Sequence, residues 1–301
     1  MSYVAALEHQ YSTSERWMTG GQNASRIMVE HSLQKGLTAR DVDQMIGHPL
    51  LYGETVYVAR EIGDALQEAA SSFPRVASLD KGVVQQREAF CFFERPLDCP
   101  ESDLGGIAAM TWMLVATVPG GLEDGGARYH ELTDEEFEAA EDKRLHAVTY
   151  CFMDGLLLPV TVFHLPLNMP ISEVLATSGE TVNTAALHRK ILYLASLLTF
   201  MSQPFIQQQR ETEFPRPTRR RLATWRHEHA VKVIKLRAAK NKGLEHQGKV
   251  VDWSCRWIVS GHWHLYHYKD GIRSRWVFPY PKGPVGKPLK LPRARVWAVV
   301  R

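Results

Sequence analysis

Residues 251–268, VDWSCRWIVSGHWHLYHY, hold an unusual density of side chains able to do chemistry. Read with the two-residue period of a strand, Arg256, His262, His264, Tyr266 and Tyr268 fall on one side. Trp253, Cys255, Trp257, Gly261, Trp263 and Leu265 fall on the other, which suits a core. Three chemistries are open to the polar row. His262 and His264 can act as acid and base, with Arg256 holding a phosphate, in metal-independent phosphodiester cleavage. The same two histidines can reach one metal ion, but a zinc site needs three or four ligands. His267 points the opposite way, Cys255 falls on the core side, and the module offers no obvious carboxylate to complete the set, so no metal or other cofactor is expected. Tyr266 and Tyr268 among arginines can stack unpaired bases while the cations neutralise phosphates.

The elements that would position this row follow directly. Lys269-Asp270-Gly271 reads as a turn, and residues 273–282, RSRWVFPYPK, as a returning strand. A hairpin places Arg273 and Arg275 beside the histidine row, with Trp276, Phe278 and Tyr280 on the core side. Lys282, at the end of that strand, and the run Arg219-Arg220-Arg221 complete the candidate nucleic-acid contacts.

Charge supports that reading. Residues 1–209 contain 14 Lys/Arg and 27 Asp/Glu, a net −13, whereas residues 210–301 contain 22 Lys/Arg and 6 Asp/Glu, a net +16. A basic third on an acidic body suits a polyanionic partner, most often nucleic acid. The alternative is mutual attraction between the two parts, or a protein partner for the acidic body. The composition, 45% hydrophobic and 23% charged, is that of a soluble protein. No apolar run reaches the roughly 18–20 residues of a membrane helix. The first residues lack the pattern of a secretory signal. Four cysteines without a CxxC pair (Cys91, Cys99, Cys151 and Cys255) read as free thiols in a reducing cytoplasm. Phosphate-binding glycine loops, HExxH and GxSxG are missing from the sequence, which leaves nucleotide hydrolysis and common hydrolases without support.

The body reads as α+β. Helices are expected over residues 25–35, 38–46 and 53–72. The first two invite a helix-turn-helix reading, which the aspartates of ARDVDQMI oppose through phosphate repulsion. Residues 87–97 and 107–118 read as strands, as do 146–153 and 157–165 around the Asp154-Gly155 turn, giving a four-stranded antiparallel sheet. Residues 133–143 open with a capping box and suggest a short acidic helix. A long helix from Thr181 or Thr184 to near Gln208 carries Leu187, Ile191, Leu194, Leu198, Met201 and Phe205 as a stripe to cover the sheet. ETEFPRPT then reads as a linker at 210–218, dividing an acidic body, 1–209, from a basic antiparallel β module, 219–301. Residues 231–237 and 295–301 are further strands of that module.

The segment WSCRWIVSGHWH…RWVFPYPKGP…PLK…RVWAVVR resembles the C-terminal part of a group of uncharacterised actinobacterial, phage and plasmid proteins, and VKVIKLR and FERPL fit the same group. His264 stands where that group usually has arginine. The layout, with Gly261-His262-Trp263, also resembles more remotely the type V anti-CRISPR family, which acts on a message during translation. This resemblance implies a phage or mobile-element accessory protein. It would bind RNA or a ribonucleoprotein, in association with the ribosome, to lower expression of a host target. The expected role is recognition rather than catalysis. The alternatives are a metal-independent nuclease using His262 and His264, and a protein–protein adaptor.

Overall fold

The computed structural model describes residues 9–10, 13, 46–47, 49–50, 53–79, 83–84, 86–102, 105–117, 135, 142–153, 155–177, 184–203, 206–211, 216–217, 220, 231–236, 255–268, 271–284 and 286–290. The expected helices at 25–35 and 38–46 and the strand at 295–301 lie almost wholly outside them, as does the acidic helix at 133–143, whose last two residues instead begin a strand.

The α+β class holds. A seven-stranded sheet has the order β5-β4-β3-β2-β1-β7-β6. Its strands are β1 (Glu54–Val58), β2 (Glu88–Leu97), β3 (Ile107–Thr117), β4 (Asp142–Met153), β5 (Leu156–Pro166), β6 (Ile206–Glu211) and β7 (Val231–Leu236). The antiparallel run β2 to β5 is the four-stranded sheet expected from sequence. Gly155, at φ 75°, makes the β4–β5 turn in a backbone region that L side chains disfavour.

Two corrections concern the strands that extend this sheet. Residues 53–72 are not one helix: Thr55, Val56, Tyr57 and Val58 form β1, and helix α1 spans only Arg60–Ser71. Three β-branched residues and a tyrosine in a row favour a pleated strand. β1 lies parallel to both β2 and β7 near the middle of the sheet. The second correction concerns the body–module boundary. β6 before it and β7 after it are antiparallel neighbours, and β7 pairs with β1. Residues 231–236 therefore belong to the body's sheet, and the stretch 210–218 does not separate two sheets.

Helices α1, α2 (Ile171–Thr177) and α3 (Thr184–Met201) contribute to one core with Val56, Val58, Cys91, Phe93, Met110, Trp112, Leu145 and Leu165 of the sheet. α1 presents Ile62, Leu66, Ala69 and Ala70 at helical spacing. α3 buries Ile191, Leu194, Leu198 and Met201, as its stripe implied, but ends at Met201 rather than near Gln208. The chain turns there, Gln203 N–H donating to the Phe200 carbonyl (2.9 Å), and resumes as β6. The other face of the sheet buries Tyr57, Phe90, Phe92, Val148 and Tyr150 with Ile46 and Leu50. His9 stacks on Phe92 at 5.2 Å, and Gln10 Nε2 donates to the Leu50 carbonyl at 3.0 Å.

No helix among the described residues is long and apolar enough to cross a membrane.

Candidate nucleic-acid interface

The candidate surface is one face of a ribbon built by β8 (Arg256–Val259), β9 (His262–Tyr268), β10 (Gly271–Val277) and β11 (Tyr280–Lys282). β9 pairs antiparallel with β10, and β8 with β11. The register runs without a slip from Lys282↔Trp257 and Tyr280↔Val259 to Val277↔His262, Trp276↔Trp263 and Gly271↔Tyr268. The ladder is interrupted only at Ser260-Gly261 opposite Phe278-Pro279, where proline offers no N–H. At about 3.3 Å per residue, each twelve-residue side spans about 40 Å. A two-residue strand, β12 (Leu289–Lys290), adds parallel to β8.

The unbroken register keeps the two faces distinct along the ribbon. Toward the helices point Trp263 and Trp276. Trp276 is buried, 5.3 Å from the Trp263 ring and 6.2 Å from Phe200 of α3. Phe73 meets Trp263 edge-on at 5.0 Å, and Phe278 lies 5.8 Å from Phe200. Polar contacts fix the same seat. Trp263 Nε1 donates to the Ala69 carbonyl at the end of α1 (2.8 Å), which also accepts from the Ser72 N–H that caps the helix (3.2 Å). Trp276 N–H donates to Gln203 Oε1 (3.2 Å). Gly261 fits because a Cβ there would collide with Trp276 Cζ2 and come within 3.1 Å of Cη2. Gly261 and Trp263 of the GHW motif are thus docking residues, and His262 between them faces out.

The outward face brings together His262, His264, Arg273 and Arg275, all exposed, with the half-buried Tyr266. His264 sits opposite Arg275, and Tyr266 opposite Arg273. The His264 and Tyr266 rings lie 4.4 Å apart, and the Arg275 guanidinium sits 5.7 Å from the Tyr266 ring centre. His262 Nδ1 is 3.0 Å from the Ser260 carbonyl, a contact that orients the ring. The Arg275 side chain is exposed to solvent.

Other candidates are placed differently. Arg256 continues the same face on β8, but it is half-buried and its Nε is shielded without a hydrogen-bond partner among the described residues. It is less exposed than Arg273 or Arg275. Lys282 is exposed on the opposite, helix-side face, which the register assigns with Trp257. Arg220 is exposed. Arg219, Arg221 and the Tyr268 side chain lie outside the described residues, although Tyr268 occupies the register position opposite Gly271. No group of three or more His, Cys, Asp or Glu side chains among the described residues is arranged to hold a metal ion.

Sequence reasoning overlooked a buried polar cluster in the body. Lys190 of α3 is 5% exposed, and its Nζ donates to Thr161 Oγ1 of β5 (2.6 Å). Burial holds the amine below its ordinary pKa, partly offset by the Cys99 and Cys151 thiols. The preceding residue, Arg189, clasps Glu101 with two hydrogen bonds, one of 2.6 Å from Nε. That clasp holds the Glu101 carboxyl below the usual carboxylate range. The signal was present: Lys190 sits three residues after Leu187 and four before Leu194, inside the apolar stripe.

No family model matches this chain, and no curated protein sequence is significantly similar to it.

Proposed function

We propose that this protein is a recognition factor that binds RNA, or an RNA within a ribonucleoprotein, through the outward face of the ribbon. It would act as a phage or mobile-element accessory protein that lowers expression of a host target. The observation that carries the reading is the joining of Arg273, Arg275, His262, His264 and Tyr266 on one exposed face, with Arg275 against the Tyr266 ring. Exposed guanidinium groups neutralise phosphates, and a tyrosine edged by cations offers an unpaired base a stacking partner. The chemistry favours single strands, whose bases are free to stack.

The test is a titration of labelled single-stranded RNA at several salt concentrations. Each neutralised phosphate contributes about 0.7 to the slope of log K against log salt for single strands. Arg273→Ala with Arg275→Ala should flatten the slope by about 1.4. Adding Arg256→Ala should change it by less than a further full contact, because that side chain is half-buried. Unchanged affinity and slope in the double variant would refute the reading. The two histidines, exposed on the same face, carry the nuclease alternative, and the same samples run on a gel decide it. Metal-free cleavage by the wild type, lost in His262→Gln with His264→Gln, would replace recognition by catalysis.

A further inference from the structure

Among the described residues, the ribbon's helix-side face is covered only along its middle. Trp263, Trp276 and Phe278 pack against α1 and α3. Beyond them, toward β8 and β11, the face emerges. Trp257 and Val259 are half-exposed, Tyr280 is 40% exposed, and Lys282 is exposed. Cross-strand register puts Tyr280 opposite Val259 and Lys282 opposite Trp257. Tyr280 and Trp257 are therefore diagonal neighbours, about 7 Å apart. Two aromatic residues, with Lys282 directly across from Trp257 and two residues along from Tyr280, lie at the end of the ribbon opposite the β9–β10 turn.

The surroundings say what kind of partner suits this place. Residues 255–290 carry seven Lys/Arg and one Asp, an excess that complements a polyanion. Pro279 and Pro281 lack the N–H groups through which an added strand would pair, which disfavours a second copy or a protein segment zipping onto β11.

We infer that Tyr280, Trp257 and Lys282 form a second stacking site for single-stranded RNA, on the reverse of the ribbon from Arg273, Arg275 and Tyr266. Residues 283–284 and 286–290 close the β8 end of the ribbon, so a strand held on the outward face crosses the exposed β11 edge at Pro279 and Pro281 and lays a further base on Tyr280, with Lys282 on the adjoining phosphate. This rests on the RNA-binding reading and extends it by a site that only longer strands reach.

The experiment compares labelled single-stranded RNAs of about 4 and about 12 nucleotides, within the range that one small binding fold spans. Tyr280→Ala should weaken the longer RNA about tenfold, the effect of one lost base stack, and leave the shorter one unchanged. Tyr280→Phe should bind both as the wild type does, since the ring is kept. Lys282→Ala should flatten the salt slope by about 0.7 for the longer RNA alone. If Tyr280→Ala leaves the longer RNA unaffected while Arg273→Ala with Arg275→Ala weakens it, the second site is refuted and the first stands. Equal weakening of both lengths would assign Tyr280 to the fold and also refute the site. Absence of wild-type binding to either length would refute both.

Discussion

Gly261 offers a direct test of how the ribbon is seated. Its φ lies outside the left-handed region, so alanine there meets a steric rather than a conformational obstacle. The added Cβ would strike Cζ2 of Trp276 and approach Cη2 and Glu68 Oε1, both at 3.1 Å. Trp276 cannot simply swing away, because it is 1% exposed and its ring is wedged beside Trp263 and Phe200. Forcing an extra carbon into such a core costs about 1–3 kcal/mol, so Gly261→Ala should destabilise by about 2 kcal/mol. At about 2–4 °C per kcal/mol for a sizeable domain, the melting temperature should fall by about 4–8 °C. Trp276→Phe removes the benzo ring that carries both colliding carbons. That change alone should cost about 1–2 kcal/mol through lost packing. In its background, however, Gly261→Ala should cost no more than about 0.5 kcal/mol, giving a coupling of about 1.5 kcal/mol. Urea unfolding of the four proteins in the double-mutant cycle reads this number. Equal costs of Gly261→Ala in both backgrounds, within the usual error of additivity, would show that the indole does not occupy the space beside Gly261.

Two further outcomes are expected from the body. Lys190 binds its proton less tightly in the folded chain than in the unfolded one, so protonation favours unfolding. The penalty is fully present below the depressed pKa and fades as pH rises toward the ordinary 10.5. Lys190→Met should therefore stabilise the protein at pH 7 by about 1 kcal/mol, and the gain should shrink in alkaline buffer. A less stable methionine variant would show that the Thr161 contact outweighs desolvation. Burial also pushes the Cys91, Cys99 and Cys151 thiols upward, whereas Cys255 is only half-buried. Iodoacetamide on the native protein should modify Cys255 first and the other three only on unfolding; peptide mass mapping checks the order.

Alternation was enough to read the ribbon. The sequence by itself separates Trp263 and Trp276 from His262, His264, Arg273 and Arg275, because strand side chains alternate and Lys-Asp-Gly closes the turn. The same local rules mark β2 to β5 and the buried stripe of α3. What they do not contain is partnership between distant segments. The run TVYV is short enough to read as part of a helix until β2 and β7 pair with it. Likewise VKVIKL looks like the start of a basic module until β1 and β6 take it into the body's sheet. Lys190 lies inside the apolar stripe of α3, but only packing against β5 supplies Thr161 as the partner that replaces its water. Gly261 reads as one more residue of a strand until the Trp276 ring fills the space where its Cβ would stand. These outcomes depend on hydrogen bonds and contacts between residues far apart in the chain. Tertiary structure therefore also decided which parts of the ribbon stay open: the outward face beside Arg275, and the end of the helix-side face where α1 and α3 no longer cover Tyr280.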